Sequence, residues 1–152
     1  MMTEYSFECV LDANVAVKLY INQPFSDKAI ALLDLLQANK PAKFYIPEFF
    51  YAECANVLWQ YVRLAAYPPQ EAKNSLENLK QLDLQVIDTF SLISESMEIA
   101  ISCGIAVYDA CYVELANRLN IPLVTADKKL INALSSRSYI IQSLETLVIP
   151  SF

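Results

Sequence analysis

Residues Phe7 to Asn14 read FECVLDAN, and residues Pro122 to Asp127 read PLVTAD. Each is a short apolar run closed by an aspartate. A strand buried on both faces is apolar throughout rather than alternating. The two runs therefore predict central strands over Phe7–Leu11 and Pro122–Thr125, with Asp12 and Asp127 just past their ends. In open α/β sheets ligands bind beyond the carboxyl ends of strands, near the point where the strand order reverses. Two aspartates at two such ends can lie close together.

Working outward, Lys43–Ile46, Leu84–Ile87 and Tyr139–Ile141 read as three further short strands. Helical spacing fills the intervals. A turn or two runs through Val17 and Tyr20, and a helix capped by Ser26 covers Asp27–Ala38. Pro47 is expected to start a long helix to Ala66, and Pro69 to sit near the first position of a helix over Gln70–Gln81. Phe90–Cys103 reads as a helix closed by Gly104, followed by helices over Val107–Leu119 and Lys128–Leu134. Strands alternating with helices imply a parallel sheet covered on both faces. With 152 residues and neither repeat nor linker, the expectation is one domain over 1–152.

Composition narrows the chemistry. Hydrophobic residues make up 55% of the chain and charged residues 18%, which excludes a disordered chain. No signal-peptide pattern opens the sequence and no apolar run approaches bilayer length, so a soluble, cytoplasmic protein without a membrane partner is expected. The high apolar share hints at surface buried against a partner. Cys9, Cys54, Cys103 and Cys111 form no CxxC pair, and the chain contains no histidine. A zinc cluster and histidine-based nucleophilic catalysis are thereby disfavoured. Carboxylates remain. The net charge of −6 opposes nucleic acid at long range, but cations bound in an acidic cleft would reverse that locally.

Four acids occupy informative positions. Asp12 and Asp127 are open to two readings, helix caps or ligands. Asp109 lies off the polar face that Glu114, Asn117 and Arg118 mark on its helix, among apolar neighbours. A carboxylate there needs a metal, a partner or the helix N-terminus. Glu53 shares a narrow stripe with Asn56, Gln60 and Arg63, which a solvated face would also explain. Held together, four carboxylates repel unless a cation joins them, and oxygen donors select Mg²⁺ or Mn²⁺.

The runs VLDANVAVKLY, PEFFYAECANVLW, AVYDACYVELANRL and IPLVTADKKL, in this order and spacing, resemble the PIN domain, specifically the small VapC-like toxins. The resemblance covers nearly the whole chain. It implies a three-layer α/β fold with a short, mostly parallel sheet. It implies that Asp12, Glu53, Asp109 and Asp127 bind Mg²⁺ or Mn²⁺ and cleave RNA, with Asn14 and Thr125 hydrogen-bonding beside them. It also implies a homodimer and a small antitoxin partner. Two rivals are weaker. A phosphotransfer or phosphatase domain wants Asp-x-Asp after the first strand, where Asp12-Ala13-Asn14 stands. A non-catalytic RNA- or protein-binding module need not keep four like charges in one cleft.

Overall fold

The computed structural model describes residues 6–37 and 41–151. In chain order the elements are β1 (Phe7–Leu11), α1 (Ala13–Ala16), α2 (Ser26–Leu33), β2 (Ala42–Pro47), α3 (Phe50–Ala65) and α4 (Pro69–Lys80). Then follow β3 (Leu84–Ile87), α5 (Ile93–Cys103), α6 (Val107–Leu119), β4 (Leu123–Thr125), α7 (Lys128–Ala133) and β5 (Ile141–Ser143). Short 3₁₀ turns over Val17–Leu19 and Asp34–Leu36 extend α1 and α2.

The five strands form one sheet in the order β3-β2-β1-β4-β5, and every pairing is parallel. From β1 the chain moves outward through β2 to β3, then returns across the sheet to β4 and β5 on the other side. Right-handed crossovers place α1–α4 on one face and α5–α7 on the other. The reversal lies between β1 and β4. Cys9, Val10, Leu11, Phe44, Ile46, Leu123 and Val124 form the buried centre of the sheet, which is why Cys9–Leu11 and Leu123–Val124 run apolar without alternation, while Glu8 and Lys43 lie near the starts of β1 and β2, outside that centre.

Several boundaries differ from the sequence reading. Ser26 does not cap α2; it is the first helical residue, after Phe25 in a left-handed conformation (φ 67°). Its hydroxyl instead accepts from the Gln23 amide and donates to the Ile21 carbonyl, closing the loop that enters the helix. The expected end of that helix at Ala38 lies outside the described residues. Pro47 does not start α3 but ends β2, opposite Ile87, a position where a missing N–H costs little. The last strand is displaced from Tyr139–Ile141 to Ile141–Ser143, because its register is set by β4, with Leu123 opposite Ile141 and Thr125 opposite Ser143. Glu114 is not on a wet face: it is buried and paired with Arg118 at 3.3 Å. Among the described residues no single helix is long and apolar enough to cross a membrane.

Gly104 ends α5 at φ 68°, and a Cβ placed there would meet nothing within 4 Å. Substitution at this position therefore tests backbone conformation without steric crowding. Gly104→Ala is expected to lower stability by about 1 kcal/mol in urea unfolding, and Gly104→Asn by less. Equal stability of Gly104→Ala and the wild type would contradict this account of the helix end.

Candidate functional site

Asp12 follows the last residue of β1 and precedes α1, with extended backbone angles (φ −73°, ψ 144°) that suit a helix cap. Its side chain nevertheless makes no capping hydrogen bond. It turns instead across the sheet reversal to β4, where the fully buried Thr125 donates its hydroxyl to Asp12 Oδ2 at 2.8 Å. Asn14 donates Nδ2 to the same oxygen and to Thr125 Oγ1, both at 3.3 Å, and its Oδ1 accepts from the Ala126 amide at 3.1 Å. Thr125 Oγ1 also accepts from the Asp127 amide at 3.1 Å. A hydroxyl has one donor and two acceptor sites, so Thr125 is fully engaged.

Asp127 behaves differently from Asp12. Its Oδ1 caps α7, accepting from the amides of Lys129 at 2.9 Å and Leu130 at 3.2 Å. The capping reading is therefore correct for one oxygen of Asp127. The other oxygen takes no hydrogen bond from the described residues.

Glu53 lies in the first turn of α3, half-buried. Tyr112 of α6, 1% exposed, donates its hydroxyl to Glu53 Oε1 at 2.6 Å. Glu53 is thus drawn out of the solvated stripe formed by Asn56, Gln60 and Arg63, which are exposed. Asp109 is in the first turn of α6, one helical turn before Tyr112, and is also half-buried. Tyr112 was not foreseen. Its only signal in the sequence was the three-residue spacing from Asp109, which puts both on one helix face.

Three of these acids, Asp12, Glu53 and Asp109, are raised, first by burial and then by neighbouring carboxylates. Burial pushes Asp12 up to about 7 from its ordinary value of 3.8, and the charges of Asp109 and Glu53 add to it while the Thr125 hydrogen bond opposes it. Burial raises Glu53, with Asp109 contributing and the Tyr112 hydrogen bond opposing. Burial raises Asp109, with the charge of Asp127 adding. The Tyr112 phenol is held well above its ordinary range by burial and by the charges of Asp12 and Glu53, so it remains a donor. Among the described residues no three such side chains stand at metal-ligand spacing. Tyr112 draws Glu53 towards α6, and the amides of α7 hold one oxygen of Asp127.

The donor set fits a hard cation. Asp12 Oδ2 is taken by Thr125 and Asn14, while its Oδ1 makes no side-chain hydrogen bond with the described residues. Towards the described residues, Glu53 and Asp127 each keep one unengaged oxygen, and Asp109 keeps both. Carboxylate oxygens without thiolate or imidazole suit Mg²⁺ or Mn²⁺. Cys54, which follows Glu53 in the chain, is buried and held protonated, its Sγ 3.9 Å from the Ala13 carbonyl.

The PIN domain family model matches residues 9–134, a span that contains all four acids and most of the chain. The chain belongs to the PIN domain family. It is 29% identical over 123 residues to Ribonuclease VapC3 of Pyrobaculum aerophilum, covering 80% of this chain and 90% of that protein. Among solved structures it resembles PAE2754 from Pyrobaculum aerophilum with a TM-score of 0.69 at 22% identity, over 95% of this chain and 94% of the other. A toxin–antitoxin complex from Klebsiella pneumoniae gives a TM-score of 0.63 at 12% identity, over 90% of this PIN domain and 97% of that chain. At these identities the two structures speak for the fold, an all-parallel five-stranded PIN sheet flanked by helices.

Two predictions arise here. Thr125→Val removes a hydroxyl that serves three partners inside the core. It should cost about 2 kcal/mol, mainly through the stranded Asn14 and Asp127 donors, in urea unfolding. A loss below 0.5 kcal/mol, on the same order-of-magnitude scale, would mean that water replaces the hydroxyl. The second concerns pH. Without metal, native Asp12 binds its proton more tightly than the unfolded chain does. Stability from this group is therefore full below pH 4 and is lost as pH rises through about 7. Unfolding in EDTA across this window should show the wild type losing about 1 kcal/mol or more relative to Asp12→Asn. Superimposable pH profiles would contradict the raised Asp12.

Proposed function

We propose that this PIN domain, acting as one unit over residues 1–152, is a divalent-metal-dependent endoribonuclease and the toxin of a toxin–antitoxin pair. The observation that carries the reading is the hydrogen bond that ties Asp12 to Thr125 across the sheet reversal, with Glu53 and Asp109 near enough for their charges to act on Asp12, and Asp127 near enough to act on Asp109. The likeness to Ribonuclease VapC3 supports RNA as substrate. The toxin–antitoxin complex among its structural neighbours supports a small antitoxin protein as partner. The cytoplasm, where such an RNA target resides, is the proposed location.

In this reading Asp12, Glu53, Asp109 and Asp127 hold Mg²⁺ or Mn²⁺. When bound, the ion supplies charge neutralisation for a phosphate and Lewis-acid polarisation of the phosphoryl group. The chain's own residues prepare the site. Thr125 and Asn14 fix the rotamer of Asp12, so that Oδ2 is occupied and Oδ1 is presented. Tyr112 does the same for Glu53 by holding Oε1. Asp109 stands at the N-terminus of α6, where the helix dipole offsets part of its burial. No histidine or lysine is required as nucleophile, since the attacking group is water.

A homodimer is part of the proposal. Trp59 and Leu64 on α3 are 54% and 79% exposed, apolar area that a second copy would cover.

Purified protein should cut single-stranded RNA with Mg²⁺ or Mn²⁺, stop in EDTA and resume when Mn²⁺ is restored. Asp109→Asn should lower turnover about a hundred-fold or more, the scale of losing one preorganised electrostatic contact, while its thermal melt stays cooperative. Undiminished cleavage in excess EDTA would remove the metal from the account. Near wild-type turnover in Asp109→Asn would remove Asp109 from the site. Binding of RNA without any cleavage would favour a non-catalytic module.

A further inference from the structure

Beside Glu53 the surface opens into a cavity of about 250 Å³ lined by Phe49, Ala52, Glu53, Asn56 and Tyr108. Two of its walls are aromatic. Tyr108 packs edge-to-face on Phe49, with centroids 5.3 Å apart and planes at 85°. Phe49 in turn packs edge-to-face on Tyr112, at 5.6 Å and 87°. The three rings make a continuous run from solvent to the phenol that holds Glu53. Tyr108 is 63% exposed although it has a fixed neighbour, and it immediately precedes Asp109. An exposed ring held at a set angle beside a carboxylate group has no role in the core, which Tyr112 and Phe50 already fill.

We propose that Tyr108, braced by Phe49, is a stacking platform for one unpaired base of the RNA whose phosphate sits at the four acids. This rests on the ribonuclease reading given above. Three observations support it. The platform is continuous with the candidate site through Glu53, which lines both. The cavity is lined by no lysine or arginine, and the whole chain has 11 basic residues against 17 acidic, so the lining offers a phosphate no cation. Stacking on an aromatic ring does not depend on that attraction and is available to any base. The exposed Asn56 amide offers both a donor and an acceptor towards the edge of a base lying on Tyr108. The occupant is therefore a single-stranded nucleotide rather than a duplex, whose bases present no free face.

The test uses an unpaired oligoribonucleotide carrying 2-aminopurine, with wild type, Tyr108→Ala and Tyr108→Phe. Steady-state cleavage with Mn²⁺ should give a KM raised about ten-fold in Tyr108→Ala with kcat within about two-fold, and near wild-type values in Tyr108→Phe. In EDTA at about 0.15 M salt, where cleavage is absent and charge repulsion is screened to within about 8 Å, 2-aminopurine emission should be quenched by wild type and Tyr108→Phe but not by Tyr108→Ala. Tyr108-dependent quenching without cleavage by any protein would sustain the platform while ending the ribonuclease reading. Cleavage by wild type with an unchanged KM in Tyr108→Ala, and no dependence of quenching on Tyr108, would overturn the platform and leave the ribonuclease reading intact. A thermal melt of Tyr108→Ala matching wild type excludes loss of fold as the cause.

Discussion

The hydrogen bond from Thr125 to Asp12 joins the ends of two strands that are more than a hundred positions apart in the chain. Much of the site depends on it. β1 and β4 are neighbours because the chain reverses its course across the sheet there, and this reversal leaves a crevice beyond their carboxyl ends. Asp12 follows β1 and Asp127 follows β4 on either side of that reversal. Thr125 and Asn14 knit the two loops with donors that are themselves satisfied, so that burying Asp12 does not leave an unpaired network. The burial then has an electrostatic consequence: it raises Asp12 towards its protonated form, and the charges of Asp109 and Glu53 add to the shift.

The sheet was legible because its strands are short apolar runs with polar punctuation. β1, β3 and α6 have the limits that pattern alone indicates, and Gly104 marks the end of α5. The errors share a cause, which is that tertiary pairing overrides local signals. Pro47 looks like a helix start, yet β3 supplies the partner that keeps it in β2. Ser26 looks like a cap, yet its hydroxyl finds better partners in the preceding loop. Glu114 looks solvated from its spacing, yet α5 packs against α6 and buries it, with the exposed Arg118 pairing with its carboxylate.

The acids illustrate the same limit at higher stakes. From the sequence, Asp12 and Asp127 were indistinguishable, each an aspartate between strand and helix. The structure separates them, since Asp127 caps α7 and Asp12 caps nothing. Glu53 was the least conspicuous of the four, because its neighbours at helical spacing are ordinary surface residues. What distinguishes it is Tyr112, an aromatic that any hydropathy pattern assigns wholly to the core. Its ring is core and its hydroxyl belongs to the site. A residue that acts through its last atom leaves little trace in a pattern of apolar and polar positions.

In the proposed reading of this acidic PIN domain the cation and the substrate would be coupled, since RNA is repelled at long range unless a cation neutralises the carboxylates. The account therefore stands or falls on whether the four acids bind one divalent site together. Calorimetric titration of Mn²⁺ into wild type, Asp12→Asn, Glu53→Gln, Asp109→Asn, Asp127→Asn and, as a remote control, Glu98→Gln measures this directly. The account predicts saturable binding by wild type and Glu98→Gln, with affinity weakened about ten-fold or more in each of the other four. Wild-type protein that takes up no Mn²⁺, or four variants that bind it as wild type does, would contradict it.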